Sequence, residues 1–255
     1  GPPPPAYREG TRAIVLVPRG GGPLPTSVGN FHRVPVPAAT VPVPTDDWPY
    51  LYLRARTIPA DYLVVILSLL ALSIGALWMV KPPGFGARHL HFACMGAGFL
   101  LLETRSIVAC ALYFGSTWLV TLIVVCGVLL MVAAANALAM RRRLRPRLLY
   151  APLLLSLLVL YAVPPEAILA LPLAGRLLWT LVVVPLPIFF AGLVFSRTFD
   201  GHPEAPSLLG ANLIGAMAGG FGEYLGMLVG HRALLLLVVA CYLASYLFLR
   251  RTGDA

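Results

Sequence analysis

Charged side chains are scarce in this sequence. Asp, Glu, Lys and Arg make up 11% of the 255 residues, against 59% hydrophobic residues and a mean hydropathy of +0.85. A soluble domain carries about 25% charged residues, so the composition excludes that class and predicts an all-α polytopic membrane protein. The net charge of +9 does not indicate a nucleic-acid partner, because the basic residues stand at the ends of apolar runs, where they orient membrane proteins.

Motifs for metal binding and catalysis are also lacking. The four cysteines lie in apolar runs without a CxxC pair or a histidine at ligand spacing, so no metal site or disulfide framework is predicted for Cys94, Cys110, Cys126 and Cys241. The sequence has no HExxH, GxSxG, GxxxxGK[ST] or GxGxxG, and no catalytic residue is assigned. His89 and His91 flank the start of an apolar run and are predicted to be interfacial.

Proline is concentrated near the start of the chain. Twelve of the 24 prolines fall in the first 50 residues, where GPPPP and RGGGPLP exclude a helix interior. Only TRAIVLVP (11–18) and WPYLYL (48–53) resemble strands there, the second alternatively being an interfacial aromatic belt, and two strands cannot build a self-sufficient core. The chain begins at Gly1, as expected of a piece of something longer. We therefore predict that residues 1–57 are the tail of a soluble domain plus a Pro-rich linker and that residues 58–255 form a transmembrane helical domain.

Long apolar runs fill the rest of the chain. Most of them reach the roughly 20 residues that a bilayer requires, and seven are candidate transmembrane helices: about 62–80, 90–112, 117–140, 148–163, 177–196, 207–229 and 232–249. The fourth is short because Pro164-Pro165 ends it. Whether the second and fourth cross the membrane fully is left open.

Arginine marks the ends of these runs. RRRLRPR (141–147) follows the third span and predicts that this loop lies in the cytoplasm, together with the C-terminus. The opposite loops hold little beyond Arg176 and Arg232. We predict a bacterial inner-membrane protein, with the lipid bilayer as its first partner. The same counting places residues 1–57 outside, unless one span does not cross.

Three charged residues interrupt the apolar runs, namely Glu103, Arg105 and Glu223. An ionised group at bilayer depth costs roughly 2.5 to 3.5 kcal/mol on insertion scales, so each needs a partner. Glu103 and Arg105 are two residues apart and point to nearly opposite sides of a helix. Their equal depth predicts an ion pair between Arg105 and Glu223, which leaves Glu103 to Asn136, Asn212, a hydroxyl or water. Such a network either fixes helix packing or lines a polar cavity for a cationic ligand.

Small residues recur every four positions in the sixth span, at Ala211, Gly215 and Gly219 and again at Gly222, Gly226 and Gly230. This spacing lets helix backbones approach closely. It predicts close helix packing, with a broken or mobile helix lining a site as the alternative. Asn212 is expected to form a hydrogen bond across helices.

Three segments together resemble one group of proteins: PTDDWPYLYLRARTIP (44–59), GAGFLLLETRSIVACALYFGSTWLV (96–120) and LLGANLIGAMAGGFGEYLGM (208–227). These are bacterial membrane proteins fused to a spermidine-synthase-like domain. The family motif at the end of the soluble domain corresponds here to Thr45, Asp46, Asp47, Trp48 and Pro49. The resemblance implies that decarboxylated S-adenosylmethionine serves the parent protein in aminopropyl transfer.

The resemblance also implies a role for this segment, which would anchor the soluble domain and handle a polyamine-like cation. The segment lacks the glycine-rich turn that would bind the S-adenosyl donor, so no cofactor is assigned to it. Asp46 and Asp47 stand beside prolines and are predicted to be turn or cap residues rather than diamine ligands.

Two alternatives remain open. The segment is a transporter or permease half if a water-filled path reaches Glu103 and Glu223, where an ammonium group would bind. It is a structural subunit of a homo-oligomer or larger membrane complex if the faces around Gly215 and Gly226 pack against a foreign helix.

Overall fold

The chain forms two compact units, residues 1–43 and residues 44–255, and each is described by itself. A computed structural model describes residues 6–9, 12–15, 25–34, 45–50, 53, 55–80, 86–115 and 117–252. The prediction placed the boundary after residue 57. The structure instead groups residues from Pro44 onward with the helices, because the segment around Trp48 packs on a helical corner, as shown below.

The first unit contains a small antiparallel sheet. Its strands are β1 (Ala6–Glu9), β2 (Arg12–Val15), β3 (Ser27–Val28) and β4 (Phe31–Val34), in the order β2-β1-β4-β3. Tyr7 of β1 is fully buried and its hydroxyl donates a hydrogen bond to the carbonyl oxygen of Pro25. The strand predicted in 11–18 corresponds to β2. The one predicted in 48–53 is wrong in its described part, where Trp48 forms only an isolated bridge with Thr45.

The second unit is helical. Its helices are α1 (Ala60–Val80), α2 (Ala87–Phe114), α3 (Trp118–Arg141), α4 (Pro146–Ala162), α5 (Pro165–Leu169), α6 (Leu173–Leu178), α7 (Leu186–Phe199), α8 (Ala205–Gly222), α9 (Gly226–Val229) and α10 (His231–Arg251). A π-helical turn, Trp179–Val183, joins α6 to α7, and a 3-10 turn, Glu223–Leu225, joins α8 to α9. A helical membrane-type fold is therefore found, together with the small sheet.

Within the described residues, four helical segments are long and apolar enough to cross a membrane, namely Ala87–Phe114, Trp118–Arg141, Leu173–Phe199 and His231–Arg251. Two of the other predicted spans fall short for visible reasons. Helix α4 has only 17 residues, and the run predicted as 207–229 is divided by the 3-10 turn at Glu223. Seven spans are thus not established by length and composition.

Helix α2 is the central element. It packs along α8 and α10, while α7 packs against α3 and α4. Tyr62 of α1 contacts Tyr224, and the hydroxyl of Ser73, eleven residues later, donates to Met217, so α1 runs antiparallel to α8. Most of the buried apolar side chains form one core among α2, α3, α4, α7 and α10.

The packing of α2 on α8 brings the two backbones into direct contact. A Cβ on Gly215 would overlap the carbonyl oxygen of Ala93, and one on Gly219 would overlap that of Ala97. A Cβ on Gly96 would lie 2.9 Å from the backbone nitrogen of Ala216. The predicted close packing of small residues is confirmed, because only glycine leaves room for such an approach.

The partner of these small residues lies within the chain. Beyond the contacts with α2, Ala211 is buried, Gly222 faces Leu101 and Leu237, and Gly226 faces Tyr50 and Leu234. The glycine faces around Gly215 and Gly226, on which the structural-subunit alternative depends, are therefore in contact with residues of this chain.

The two ends of the helical unit differ in charge. At one end, called the Asp47 end, residues Asp47, Tyr113, Val163 and His231 line one cavity. At the other, called the arginine end, the start of α2, the start of α4 and the end of α10 meet, since His91 and Tyr150 both contact Ser245. Basic side chains near this second end are Arg88, Arg141, Arg142, Arg143, Arg145, Arg147, Arg197, Arg250 and Arg251.

Candidate functional site

The turn Thr45–Trp48 begins the site. The backbone amide of Trp48 donates to both the carbonyl and the hydroxyl oxygen of Thr45, at 2.9 and 3.1 Å. The indole Nε1 of Trp48, which is 1% exposed, donates to the carbonyl oxygen of Met227 at 2.7 Å. Pro49 follows directly. The turn is thereby fixed to the corner between α9 and α10.

Asp47 caps the first turn of α10. Its side-chain Oδ1 accepts a hydrogen bond from the backbone amide of Arg232 at 2.6 Å, and its carbonyl oxygen accepts one from the amide of His231 at 2.8 Å. The first backbone amides of a helix have no partner within the helix, so Asp47 supplies what α10 lacks. The predicted turn-or-cap role is confirmed for Asp47, whereas Asp46 is exposed beside the cavity described next.

A cavity of about 440 Å³ lies under this turn. We call it the Arg105 cavity. Its apolar wall is formed by Val108, Ala109, Leu112, Leu160, Val163, Pro165 and Val184, and its polar and aromatic wall by Thr45, Asp46, Asp47, Arg105, Tyr113, Glu166, Trp179, His231 and Arg232. The chain brings these residues together because α2 and α4 end at the same level at which α10 begins.

Arg105 is the deepest charge in this cavity. It lies nine residues before the end of α2 at Phe114, about 14 Å along the axis at 1.5 Å per residue. Its Nε is buried and has no hydrogen-bond partner among the residues that the structure describes. The charged side chains that act on it are those of Asp47 and Arg232. A guanidinium group whose buried Nε has no partner is costly, so the cavity favours the binding of an anion.

His231 also has polar atoms without hydrogen-bond partners in the described structure. The side chain is 7% exposed and lines the cavity. In the described part of the chain, neither ring nitrogen has a hydrogen-bond partner, and the ring stacks on Tyr50 with centroids 5.5 Å apart. An imidazole donates one proton when neutral and two when charged. His231 can therefore donate to a group bound in the cavity.

Arg232 is engaged elsewhere. Its Nη2 donates to the carbonyl oxygen of Tyr161 at 3.1 Å, and its guanidinium lies 5.3 Å above the centre of the Tyr161 ring. Arg232 therefore shapes the rim of the cavity and raises the local positive potential, whereas the Nε of Arg105 has no partner among the described residues.

The predicted ion pair between Arg105 and Glu223 is wrong for the described residues. The carboxyl of Glu223 lies beside the hydroxyl of Thr104 on the α8 side of α2. Arg105 is the next residue, about 100° further round the helix, and faces the cavity under the Asp47 turn instead. Equal depth along two helices did not imply that the two side chains point toward each other.

The other predicted partners also differ from the structure. Asn136 accepts a hydrogen bond from the hydroxyl of Ser196 at 2.5 Å. Asn212 donates to the carbonyl oxygen of Phe92 at 3.1 Å, which confirms the expected bond across helices. Neither amide is bonded to Glu103 in the described structure.

A second cavity, of about 570 Å³, lies toward the arginine end. Asn136, Asn212, Ser196, Arg197 and Asp200 line it, but most of its wall is apolar, including Met95, Phe99, Val132, Phe195 and Phe199. As far as the described residues show, Glu103 and Glu223 line neither this cavity nor the Arg105 cavity. The path to both glutamates that the transporter alternative requires is not provided by these two spaces.

Sequence reasoning missed several residues of the two ends. Four of these were not singled out, although one of them follows a glycine at the start of a span: His231, Glu166, Trp179 and Tyr113. His91, predicted to be interfacial, is fully buried. Its Nδ1 lies 2.8 Å from the hydroxyl of Ser245, so it belongs to the core.

No protein-family model, curated protein or solved structure matches the chain. Among the described residues, no group of three or more His, Cys, Asp or Glu side chains is placed to hold a metal ion. What the site does must be inferred from its own chemistry.

Proposed function

We propose that this chain is an integral membrane module that binds the anionic group of a small molecule in the Arg105 cavity. One observation carries the proposal: Arg105 and His231 line the same open cavity, and the buried Nε of Arg105 and both buried ring nitrogens of His231 have no hydrogen-bond partner in the described structure. A membrane protein places a charge at this depth at a cost of several kcal/mol, which a bound anion offsets.

The chemistry of Arg105 favours a carboxylate or a phosphate. A guanidinium is planar and offers parallel N–H donors that match two oxygens of either group. The surrounding wall of Val108, Leu112 and Leu160 lowers the local dielectric, and this strengthens the attraction. An apolar cavity with a few convergent polar groups is the usual form of a small-molecule site.

We further propose seven membrane passes with the arginine end in the cytoplasm of a bacterium. The alternation of α2, α3, α4, α6–α7, α8–α9 and α10 between the two ends supports this, as does the antiparallel packing of α1 on α8. The excess of arginine at one end supports the orientation through the positive-inside rule. In this orientation the Arg105 cavity opens on the outer side.

The link to a spermidine-synthase-like fusion protein stays a prediction from sequence motifs, as do a polyamine-like ligand and assembly into an oligomer. The positive charges of Arg105 and Arg232 in the Arg105 cavity do not favour a simple polycation. The fusion is tested by the mass of the intact native polypeptide, which must include a nucleotide-binding domain upstream.

The binding proposal is tested with the detergent-purified full chain and two probes of equal shape, 3-phenylpropanoate and its neutral amide. The carboxylate is expected to raise the melting temperature. At 100 times Kd it adds about 2.7 kcal/mol, or about 5–10 °C for a domain of this size. The amide is expected to have little effect, because it lacks the charge that Arg105 requires.

Variants assign the effect to Arg105. Arg105→Gln is expected to weaken binding of 3-phenylpropanoate at least about thirtyfold, the equivalent of about 2 kcal/mol for a buried charge pair. Arg105→Lys keeps the charge without the planar fork and should fall between. Arg142→Gln removes the same charge from an exposed position at the arginine end and should bind as the parent does. Equal melting shifts for acid and amide, or equal binding by Arg105→Gln and Arg142→Gln, contradict the proposal.

A further inference from the structure

The charges around the Arg105 cavity are not all positive. Glu166, the second residue of α5, is exposed and lines the cavity together with Tyr113. Asp46 is exposed on the Thr45–Trp48 turn and also lines the cavity. The deep part of the cavity is thus cationic at Arg105, and its rim carries carboxylates.

This arrangement opposes ligands of a single sign. A polyanion that reached Arg105 would place negative charge near Glu166 and Asp46, and a polycation would meet Arg105 and Arg232. Asp47 also lines the cavity with a carboxylate, and one oxygen of that carboxylate accepts the hydrogen bond from the backbone amide of Arg232. A ligand with one negative and one positive group finds a partner of opposite sign both in the deep part of the cavity and at its rim.

We infer that the ligand of the Arg105 cavity is a zwitterion with a carboxylate, an ammonium group and an apolar substituent, as in an apolar α-amino acid. The carboxylate contacts Arg105 and His231, the ammonium group faces Glu166, and the substituent packs on the apolar wall near Trp179. This inference rests on the proposed function and adds the class of ligand to it.

The size of the site fits this class. The volume of about 440 Å³ falls in the range of roughly 300 to 1,000 Å³ typical of small-molecule sites. The lining includes the aromatic side chain of Trp179 as well as the aliphatic side chains of Val108 and Leu160. An aliphatic or aromatic substituent is therefore accommodated, while a ligand of two charges alone would leave this wall uncovered.

The test compares three ligands that share a phenyl group, using isothermal titration of the detergent-purified full chain. L-Phenylalanine carries both charges, 3-phenylpropanoate only the negative one and 2-phenylethylamine only the positive one. L-Phenylalanine is expected to bind about fivefold more tightly than 3-phenylpropanoate, the upper end for an ion pair at an exposed rim, and the amine is expected not to bind.

A rim variant and a matched control assign the advantage to Glu166. In Glu166→Gln, L-phenylalanine and 3-phenylpropanoate are expected to bind equally. Glu204→Gln removes an exposed carboxylate at the start of α8, toward the other end, and should keep the fivefold difference. The melting temperature without ligand shows whether each variant is folded.

The outcomes separate this inference from the proposal on which it rests. If 3-phenylpropanoate binds in an Arg105-dependent way and L-phenylalanine binds no better, the zwitterion is refuted and anion binding stands. If neither acid binds, both are overturned. If the advantage persists in Glu166→Gln, the assignment of the ammonium group to Glu166 is refuted.

A lipid headgroup can offer the same pair of charges, and a second arm distinguishes the source. The titration is repeated in nanodiscs of phosphatidylcholine with and without phosphatidylserine, whose headgroup carries a carboxylate and an ammonium group. Weaker L-phenylalanine binding in the serine-containing discs supports the inference with a lipid as the source. Unchanged binding supports it with a free solute as the source.

Discussion

Replacing Gly230 by alanine tests how firmly the Asp47 turn is held, and the chain supplies a matched control. Gly230 has φ 90° and ψ 164°, and Gly115 has nearly the same conformation, with φ 86° and ψ 160°. This region is essentially restricted to glycine, and another residue pays about 1–3 kcal/mol for it. The backbone cost of Gly230→Ala and Gly115→Ala should therefore be similar.

The surroundings of the two glycines differ. No described atom would lie within 4 Å of a Cβ on Gly115, whereas a Cβ on Gly230 would overlap the carboxylate of Asp47. Displacing Asp47 breaks the 2.6 Å bond from the amide of Arg232, a cap worth about 0.5–2 kcal/mol. It also breaks the bond from the amide of His231, worth about 1 kcal/mol. Gly230→Ala is expected to lower the free energy of unfolding by about 2 kcal/mol more than Gly115→Ala does.

The measurement is the free energy of unfolding in detergent, followed by tryptophan fluorescence, for both variants and for each combined with Asp47→Ala. Once Asp47 is gone, the extra cost of Gly230→Ala should vanish, because there is no carboxylate to displace. Equal costs for the two glycines in the parent chain, or an extra cost that survives Asp47→Ala, would refute the capping role argued here.

Two further predictions concern packing. Gly215→Ala is expected to lower the free energy of unfolding by at least about 2 kcal/mol, since its Cβ would overlap the backbone of α2. Gly210→Ala in the same helix, with no described atom within 4 Å of its Cβ, should be neutral or slightly stabilising. Chemical unfolding of both variants checks the difference. Trp48→Phe is expected to cost about 1–1.5 kcal/mol by leaving the carbonyl of Met227 without its donor. Trp118→Phe changes a tryptophan that is 77% exposed and should leave the unfolding midpoint in place.

The features that followed from the sequence are those set by local rules. Apolar runs of membrane length became helices, and glycines at a spacing of four became a close helix contact at Gly215 and Gly219. Asp47, read as a turn or cap residue from its neighbours, caps α10. In each case the residue type and its immediate sequence carry the physical cause.

The features that did not follow depend on rotation about a helix axis and on contacts distant in sequence. Counting residues along the spans gave Arg105 and Glu223 similar depths, and the helices that carry or precede them, α2 and α8, do pack together. A step of one residue, from Thr104 to Arg105, nevertheless turns the side chain from α8 to the cavity under the Asp47 turn. The site also needs Glu166 and His231, which lie 61 and 126 residues after Arg105, and no local pattern joins them.

The glycine contact between α2 and α8 has a mechanical consequence. The carbonyl groups of Ala93 and Ala97 in α2 lie where Gly215 and Gly219 of α8 have no Cβ atom. If α2 and α8 shifted by one residue along each other, a side chain of one helix would overlap the backbone of the other. The two helices are therefore expected to move together as one rigid unit. Arg105 is part of this unit, because it lies in α2. Any widening or narrowing of the space around it must come from the other elements that line the cavity, among them the short helix α5 and the π-helical turn.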